Sequence, residues 1–95
     1  MAFNPTPAWN VIVFENNNEA HMIASKHLPE YLFTAYMNNP FPLSNARYYH
    51  KQTDTQSIYY LSPEASVISA DLLNMYGAML LLDEPDIAGF DEHFI

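Results

Sequence analysis

The side chains best suited to chemistry lie in two short aromatic segments that are separated by a polar stretch. They are Arg47, Tyr48, Tyr49, His50, Lys51, Tyr59 and Tyr60. Tyrosine rings can stack on nucleobases, at roughly 1–3 kcal/mol per base, and Arg and Lys can bind a phosphate. Protein interfaces also favour Tyr and Arg. The set is therefore a candidate contact for a nucleotide-like ligand or for a partner protein.

These tyrosines also have a purely structural explanation. Segments 46–51 and 57–61 flank a polar loop, which predicts a β-hairpin. Neighbours in a strand point to opposite faces. One face then receives Tyr48 and His50, and the other receives Arg47, Tyr49 and Lys51. Cross-strand tyrosine pairs stabilise many sheets, so one face of this hairpin is expected to lie in the core.

Other kinds of chemistry are not indicated. The chain has no cysteine, which excludes disulfides, thiol nucleophiles and cysteine-based zinc sites. The four histidines lie on three different predicted elements, and their spacing does not suit a metal pair. No serine lies in a nucleophile motif, and two glycines are too few for a phosphate-binding loop. We expect a protein that is not an enzyme and that needs no metal or cofactor.

The charge balance is strongly acidic. Eleven acidic residues face three basic ones, for a formal net charge of −8. Five of these acids lie in the last thirteen residues, which contain no Lys or Arg: Asp83, Glu84, Asp86, Asp91 and Glu92. Such a surface repels nucleic acid and attracts a protein with a basic surface. Alternatively, the acidity serves only solubility.

The leading functional hypothesis is a small acidic protein-binding module that occupies a basic, nucleic-acid-binding surface of its partner. In size and charge alone, the chain is similar to phage inhibitors of bacterial defence systems, of the anti-CRISPR kind. The alternatives are a binder of a nucleotide-like ligand in the hairpin and a structural or assembly subunit. No signal-peptide pattern or membrane-length apolar run is present, which predicts a cytoplasmic protein, in a host cell if it is a phage product.

The 95 residues predict one domain, with an N-terminal arm at 1–8 and a docked acidic tail at 83–95. The apolar run Trp9–Phe14 predicts a central strand. A helix should follow, capped by Asn18, and the residues 38–45 should form an ordered loop. Pro29 interrupts that helix between two differently placed apolar sets, which predicts a kink or two short helices. The inward set before Pro29 is Ala20, Ile23, Ala24, His27 and Leu28.

The strongest helical pattern runs from Ser62 to Leu82. Ser62 should cap it, Pro63 suits its first position, and Glu64 complements its dipole. One apolar stripe should pack on the core. A second stripe holds small residues and leucines, and its members are Ser66, Ala70, Leu73, Gly77, Leu80 and Leu81. This second stripe predicts a homodimer interface, with Gly77 allowing close approach, unless the tail covers it.

The element order is therefore β-α(α)-β-β-α. We expect an α+β fold of two layers, in which helices pack on a mostly antiparallel three-stranded sheet.

Overall fold

The computed structural model describes residues 8–38, 46–81 and 83–95. Its α+β class agrees with the sequence prediction. Most of the predicted arm, most of the predicted loop at 38–45 and the predicted helix end at Leu82 lie outside the described residues. Within these ranges, no helix has the length and apolar character needed to cross a membrane.

The described residues form one antiparallel sheet of five strands, not the three that were predicted. The strands are β1 (Trp9–Glu15), β2 (Arg47–Gln52), β3 (Gln56–Leu61), β4 (Met79–Leu81) and β5 (Asp91–Phe94). Their spatial order is β4-β1-β3-β2-β5. The prediction missed the two edge strands because they are only three and four residues long, too short for a clear alternating pattern.

The central part of the sheet agrees with the sequence pattern. Strand β1 lies between β4 and β3, as its two apolar faces predicted. The predicted hairpin is formed by β2 and β3, in which Tyr49 pairs with Tyr60 and His50 pairs with Tyr59.

Helix α1 (Glu19–Met37) is a single helix that runs through Pro29, so the prediction of two short helices is wrong. Its cap is confirmed, because the Asn18 side chain accepts a hydrogen bond from the His21 amide. Leu28 and Leu32 are its buried residues, and they lie four apart on one stripe. The helix therefore packs on the core through the same face before and after Pro29. The predicted inward residues Ala20, Ile23 and His27 are accordingly exposed.

The prediction of one continuous helix at 62–82 is wrong, because the helix breaks at Ser69 and helical structure ends at Met75. Its start is confirmed, with Ser62 capping Ala65 and Pro63 in the first turn. The structure has two six-residue helices, α2 (Pro63–Ile68) and α3 (Ala70–Met75). Between them, the Ser69 hydroxyl donates to the Ala65 carbonyl at 2.7 Å. A serine that bonds the carbonyl four residues back competes with regular helix geometry, which accounts for the break at this position.

The second stripe is therefore not a helix face. Ala70 and Leu73 lie on α3, whereas Leu80 and Leu81 are consecutive residues of β4 and point to opposite faces of the sheet. Gly77 has a φ of 62°, and a Cβ there would meet nothing within 4 Å. Close packing therefore does not explain why position 77 is a glycine. The reason is the positive φ of the turn into β4, which glycine adopts without steric cost.

The core lies between the helices and one face of the sheet. It contains Ile12, Phe14, Leu28, Leu32, Tyr48, Tyr59, Leu61 and Ala65. The opposite face is crossed by residues 83–90, which we call the strap because they connect the edge strand β4 to β5 at the other edge. Phe90 of the strap stacks on Tyr60, with ring centroids 4.4 Å apart. The sheet thus lies between a helical layer and the strap.

Candidate functional site

The residues of the predicted tyrosine site are divided between two faces of the sheet. Strand alternation places Tyr48, His50 and Tyr59 on the helix side, where Tyr48 and Tyr59 belong to the core. It places Arg47, Tyr49, Lys51 and Tyr60 on the strap side, where Phe90 covers Tyr60. The prediction of two faces is confirmed. The seven residues do not form one binding site.

A groove of about 670 Å³ opens on the helix side, between α1 and the strands β2, β3 and β5. Two pairs of rings line it. His50 stacks on Tyr59 at 4.4 Å, and His93 stacks on Tyr48 at 4.9 Å. Both tyrosines are buried, so their faces are occupied by imidazoles and are not open to a nucleobase.

A hydrogen-bond network joins the floor of this groove to α1. His50 Nε2 lies 2.8 Å from the Ser57 hydroxyl, and the Ser25 hydroxyl donates to the same Ser57 oxygen at 2.8 Å. The Tyr59 hydroxyl in turn donates to the Ser25 carbonyl at 3.1 Å. A serine beside a histidine is the pairing used by covalent catalysts. Ser57 is only 2 % exposed, however, so this pair does not present a nucleophile. The pair joins β2 to β3, and the bond from Ser25 joins α1 to β3.

The electrostatics of the groove differ from those of the whole chain. Its charged and titratable lining consists of Lys26, His50 and His93 with two tyrosines, and no carboxylate lies among the described lining residues. Burial lowers the pKa of His50, and the nearby His93 lowers it further, while Asp91 opposes both. In the described ranges, no group of three or more His, Asp or Glu residues is arranged to hold a metal ion. The groove can therefore receive an anion through one ammonium and two imidazoles.

The strap side carries a chain of charge-assisted hydrogen bonds. Arg47 Nε donates to the Tyr49 hydroxyl at 3.1 Å, and that hydroxyl donates to Glu92 Oε2 at 2.7 Å. The bond to Glu92, followed by burial, raises the pKa of Tyr49. The bond to Tyr49 is the main cause of the raised pKa of Arg47. Arg47 is thus engaged within the protein and is not presented to a phosphate.

Basic residues also fasten the strap to the sheet. Arg47 lies 4.0 Å from Glu84 and 5.6 Å from the centre of the Trp9 ring. Lys51 Nζ lies 5.8 Å from the centre of the Phe90 ring. Two of the three basic side chains of the protein are therefore used against the strap.

The five acids of the C-terminal region are all exposed, but they occupy three different surfaces. Asp83, Glu84 and Asp86 lie on the strap. Asp91 and Glu92 are neighbours in β5, so Asp91 points to the helix side and Glu92 to the strap side. The strap acids are the contiguous group. Glu92 belongs to the hydrogen-bond chain described above.

No protein-family model matches the chain, and no curated protein or solved structure matches it significantly.

Sequence reasoning missed most of the groove. Ser57 could have been found, because it lies two residues before Tyr59 in the same strand and so shares its face. Ser25, Lys26 and His93 had no such signal, because they reach the groove from α1 and from an edge strand that was not predicted.

Proposed function

We propose that the protein is a small, non-enzymatic binding module that uses its acidic strap to occupy a basic surface of a partner protein. The observation that carries this proposal is the way the strap is held. Phe90 is stacked on Tyr60, and Glu84 lies beside Arg47. Exposed acids on an attached segment keep a set geometry, so less ordering entropy is lost on binding than with a free tail.

A surface that normally binds nucleic acid is the kind of basic partner surface that fits best. Such surfaces hold Lys and Arg side chains spaced to meet a row of phosphates. Asp83, Glu84 and Asp86 offer three exposed carboxylates within four residues of a segment that is neither helix nor strand. Bound there, the module would exclude the nucleic acid and inhibit the partner.

The test compares two triple variants with equal charge. One neutralises the strap by Asp83→Asn, Glu84→Gln and Asp86→Asn. The other neutralises exposed acids on the helices by Glu19→Gln, Glu30→Gln and Asp71→Asn. Each change takes the formal net charge from −8 to −5.

The partner is first captured from a host extract and identified by mass spectrometry, and its association rate is then measured across a salt series. We expect the strap variant to associate more slowly and with a flatter salt dependence than the helix variant, because local charge steers the encounter. It should also compete less well with nucleic acid. Equal rates for the two variants would overturn the strap as the binding surface, and failure to compete would overturn the inhibitory function.

We also propose that the protein self-associates, through β4 and the end of α3 instead of through the predicted helix stripe. Met75, Met79 and Leu80 are exposed at the end of α3 and on β4. Within the described residues β4 pairs only with β1, so its other edge offers free backbone hydrogen-bond groups. A second copy that pairs with this edge of β4 would cover the exposed apolar side chains and the free backbone groups. Sedimentation should show a dimer that Leu80→Lys converts to monomer, whereas a wild-type chain that stays monomeric at high concentration would contradict this interface.

A further inference from the structure

The groove between α1 and the sheet lies on the opposite side of the molecule from the strap, and the proposed function does not use it. Its volume of about 670 Å³ falls in the range of roughly 300–1,000 Å³ that is usual for small-molecule sites. It is too large for an ion alone. The groove therefore has room for a small organic molecule.

The charge of this lining is the unusual feature. The chain carries eleven acids and only three bases, yet the groove is lined by one of those bases and two of the four histidines, without a carboxylate among its described lining residues. Lys26 is exposed on α1, and within the described residues no hydrogen bond or ion pair engages it. It is thus the basic side chain that the fold leaves available, in contrast to Arg47 and Lys51.

Neutral amides and apolar surface complete the lining. The amide side chains of Asn16 and Gln52 lie at one end and are bonded within the protein, because Asn16 donates to the Thr53 carbonyl at 3.1 Å and Gln52 donates to the Asn16 side-chain oxygen at 3.2 Å. Met22 and Pro29 of α1 add exposed apolar surface. The site thus combines cationic donors with a surface that suits the body of an organic molecule.

We propose that this groove binds a small organic phosphate monoester, with the phosphate held by Lys26, His50 and His93 and the organic body against Met22 and Pro29. A phosphate presents three strong acceptor oxygens, which suits a groove lined by one ammonium and two imidazoles. This differs from a nucleotide stacked on tyrosines, since Tyr48 and Tyr59 are already covered by the two imidazoles.

Binding at this site should depend on pH. His50 faces Tyr59 and Ser57 of β3, Asp91 and His93 of β5, and Lys26 across the groove. A bound dianion favours the protonated imidazoles, so affinity should rise as pH falls from 8 toward about 6.5. Below about 6 the phosphate loses its second charge, and the gain should stop.

The experiment is a titration of the full chain with phenyl phosphate and with adenosine monophosphate, followed by NMR of the histidine side chains. Inorganic phosphate and adenosine are the matched probes for the two halves of the ligand. We expect saturable shifts at His50 and His93, and weaker binding of either half alone. Lys26→Gln should weaken binding about tenfold or more, the usual loss for a hydrogen bond to a charged group.

Each test variant has a control that makes the same change in charge at a position outside the groove. Lys51→Gln removes a cation on the strap side, and His27→Gln removes an exposed histidine of α1 that lies outside the groove. Both should bind like the wild type, while His93→Gln should bind more weakly. No shift at His50 or His93 up to millimolar ligand, or equal weakening by Lys51→Gln and Lys26→Gln, would overturn the proposal. Neither result would affect the strap as a protein-binding surface.

Discussion

The Tyr59 hydroxyl donates a hydrogen bond to the backbone carbonyl of Ser25 at 3.1 Å, in the turn of α1 that ends at Pro29. In a regular helix the amide of residue 29 would bond to that carbonyl, but proline has no amide hydrogen. Tyr59 supplies the missing donor from the sheet. The bond therefore explains how α1 continues through a proline and why a tyrosine lies in this part of the core.

This relationship predicts coupling between the two positions. Tyr59→Phe should destabilise the wild type by about 1–3 kcal/mol, because a partly buried carbonyl loses its partner. Pro29→Ala restores an amide at position 29, so Tyr59→Phe should cost less in that background. Urea unfolding of the four proteins measures the coupling. An equal cost in both backgrounds would contradict the explanation, and Tyr60→Phe on the strap side provides the control.

Two variants at Gly77 distinguish backbone conformation from close packing as the reason for the glycine. Gly77→Ala should cost about 1 kcal/mol or more, because an alanine disfavours the φ of 62° at this turn. Gly77→Asn should cost less than alanine, because asparagine tolerates the left-handed region. If close packing were the reason for the glycine, the larger asparagine would be the worse of the two. Thermal unfolding of both variants decides the question.

His50 should make the fold less stable in mild acid. Its pKa in the folded protein is lowered, mainly by burial, so the unfolded chain binds its proton more readily. Stability should therefore fall as pH drops below the usual histidine pKa of about 6.5. His50→Gln should flatten this dependence between about pH 7 and 5. Urea unfolding across this range measures the slopes, and equal slopes for the wild type and His50→Gln would refute the assignment.

The bond between Tyr49 and Glu92 can be followed by titration. Glu92→Gln removes the carboxylate that is the main cause of the raised pKa of Tyr49, so the pKa should move back toward its ordinary value. Ultraviolet absorbance of the phenolate reports this change, and Tyr49→Phe identifies the signal. A titration curve unchanged by Glu92→Gln would mean that the carboxylate does not control Tyr49.

A variant at Glu92 is not a clean test of the acidic surface. The Glu92 side chain accepts the hydroxyl hydrogen bond of the buried Tyr49, so neutralising it weakens an internal interaction as well as removing a charge. Among the strap acids, Glu84 lies 4.0 Å from Arg47, and Asp86 Oδ1 accepts a hydrogen bond from the Ala88 amide at 3.0 Å, which the Oδ1 of an asparagine can also accept. Exposed ion pairs of this kind contribute little to stability. Strap variants should therefore remain folded.

The sequence by itself determined the features that depend on neighbouring residues. Asn18 and Ser62 act as helix caps because each bonds an amide three residues later in the chain. The hairpin of β2 and β3 follows from alternation and from the polar loop between them. The two faces of the tyrosine segments were predictable for the same reason, since alternation needs no knowledge of distant contacts.

Only the tertiary structure decided the edge strands, the strap and the groove. Strands β4 and β5 are stabilised by pairing with β1 and β2, which lie far from them in the chain. The helical pattern at 62–82 therefore gave way to a turn and a strand after Met75. The groove collects Lys26, Ser57 and His93 from three separate elements. Such a site has no pattern along the chain, because the packing of α1 against the sheet brings its members together.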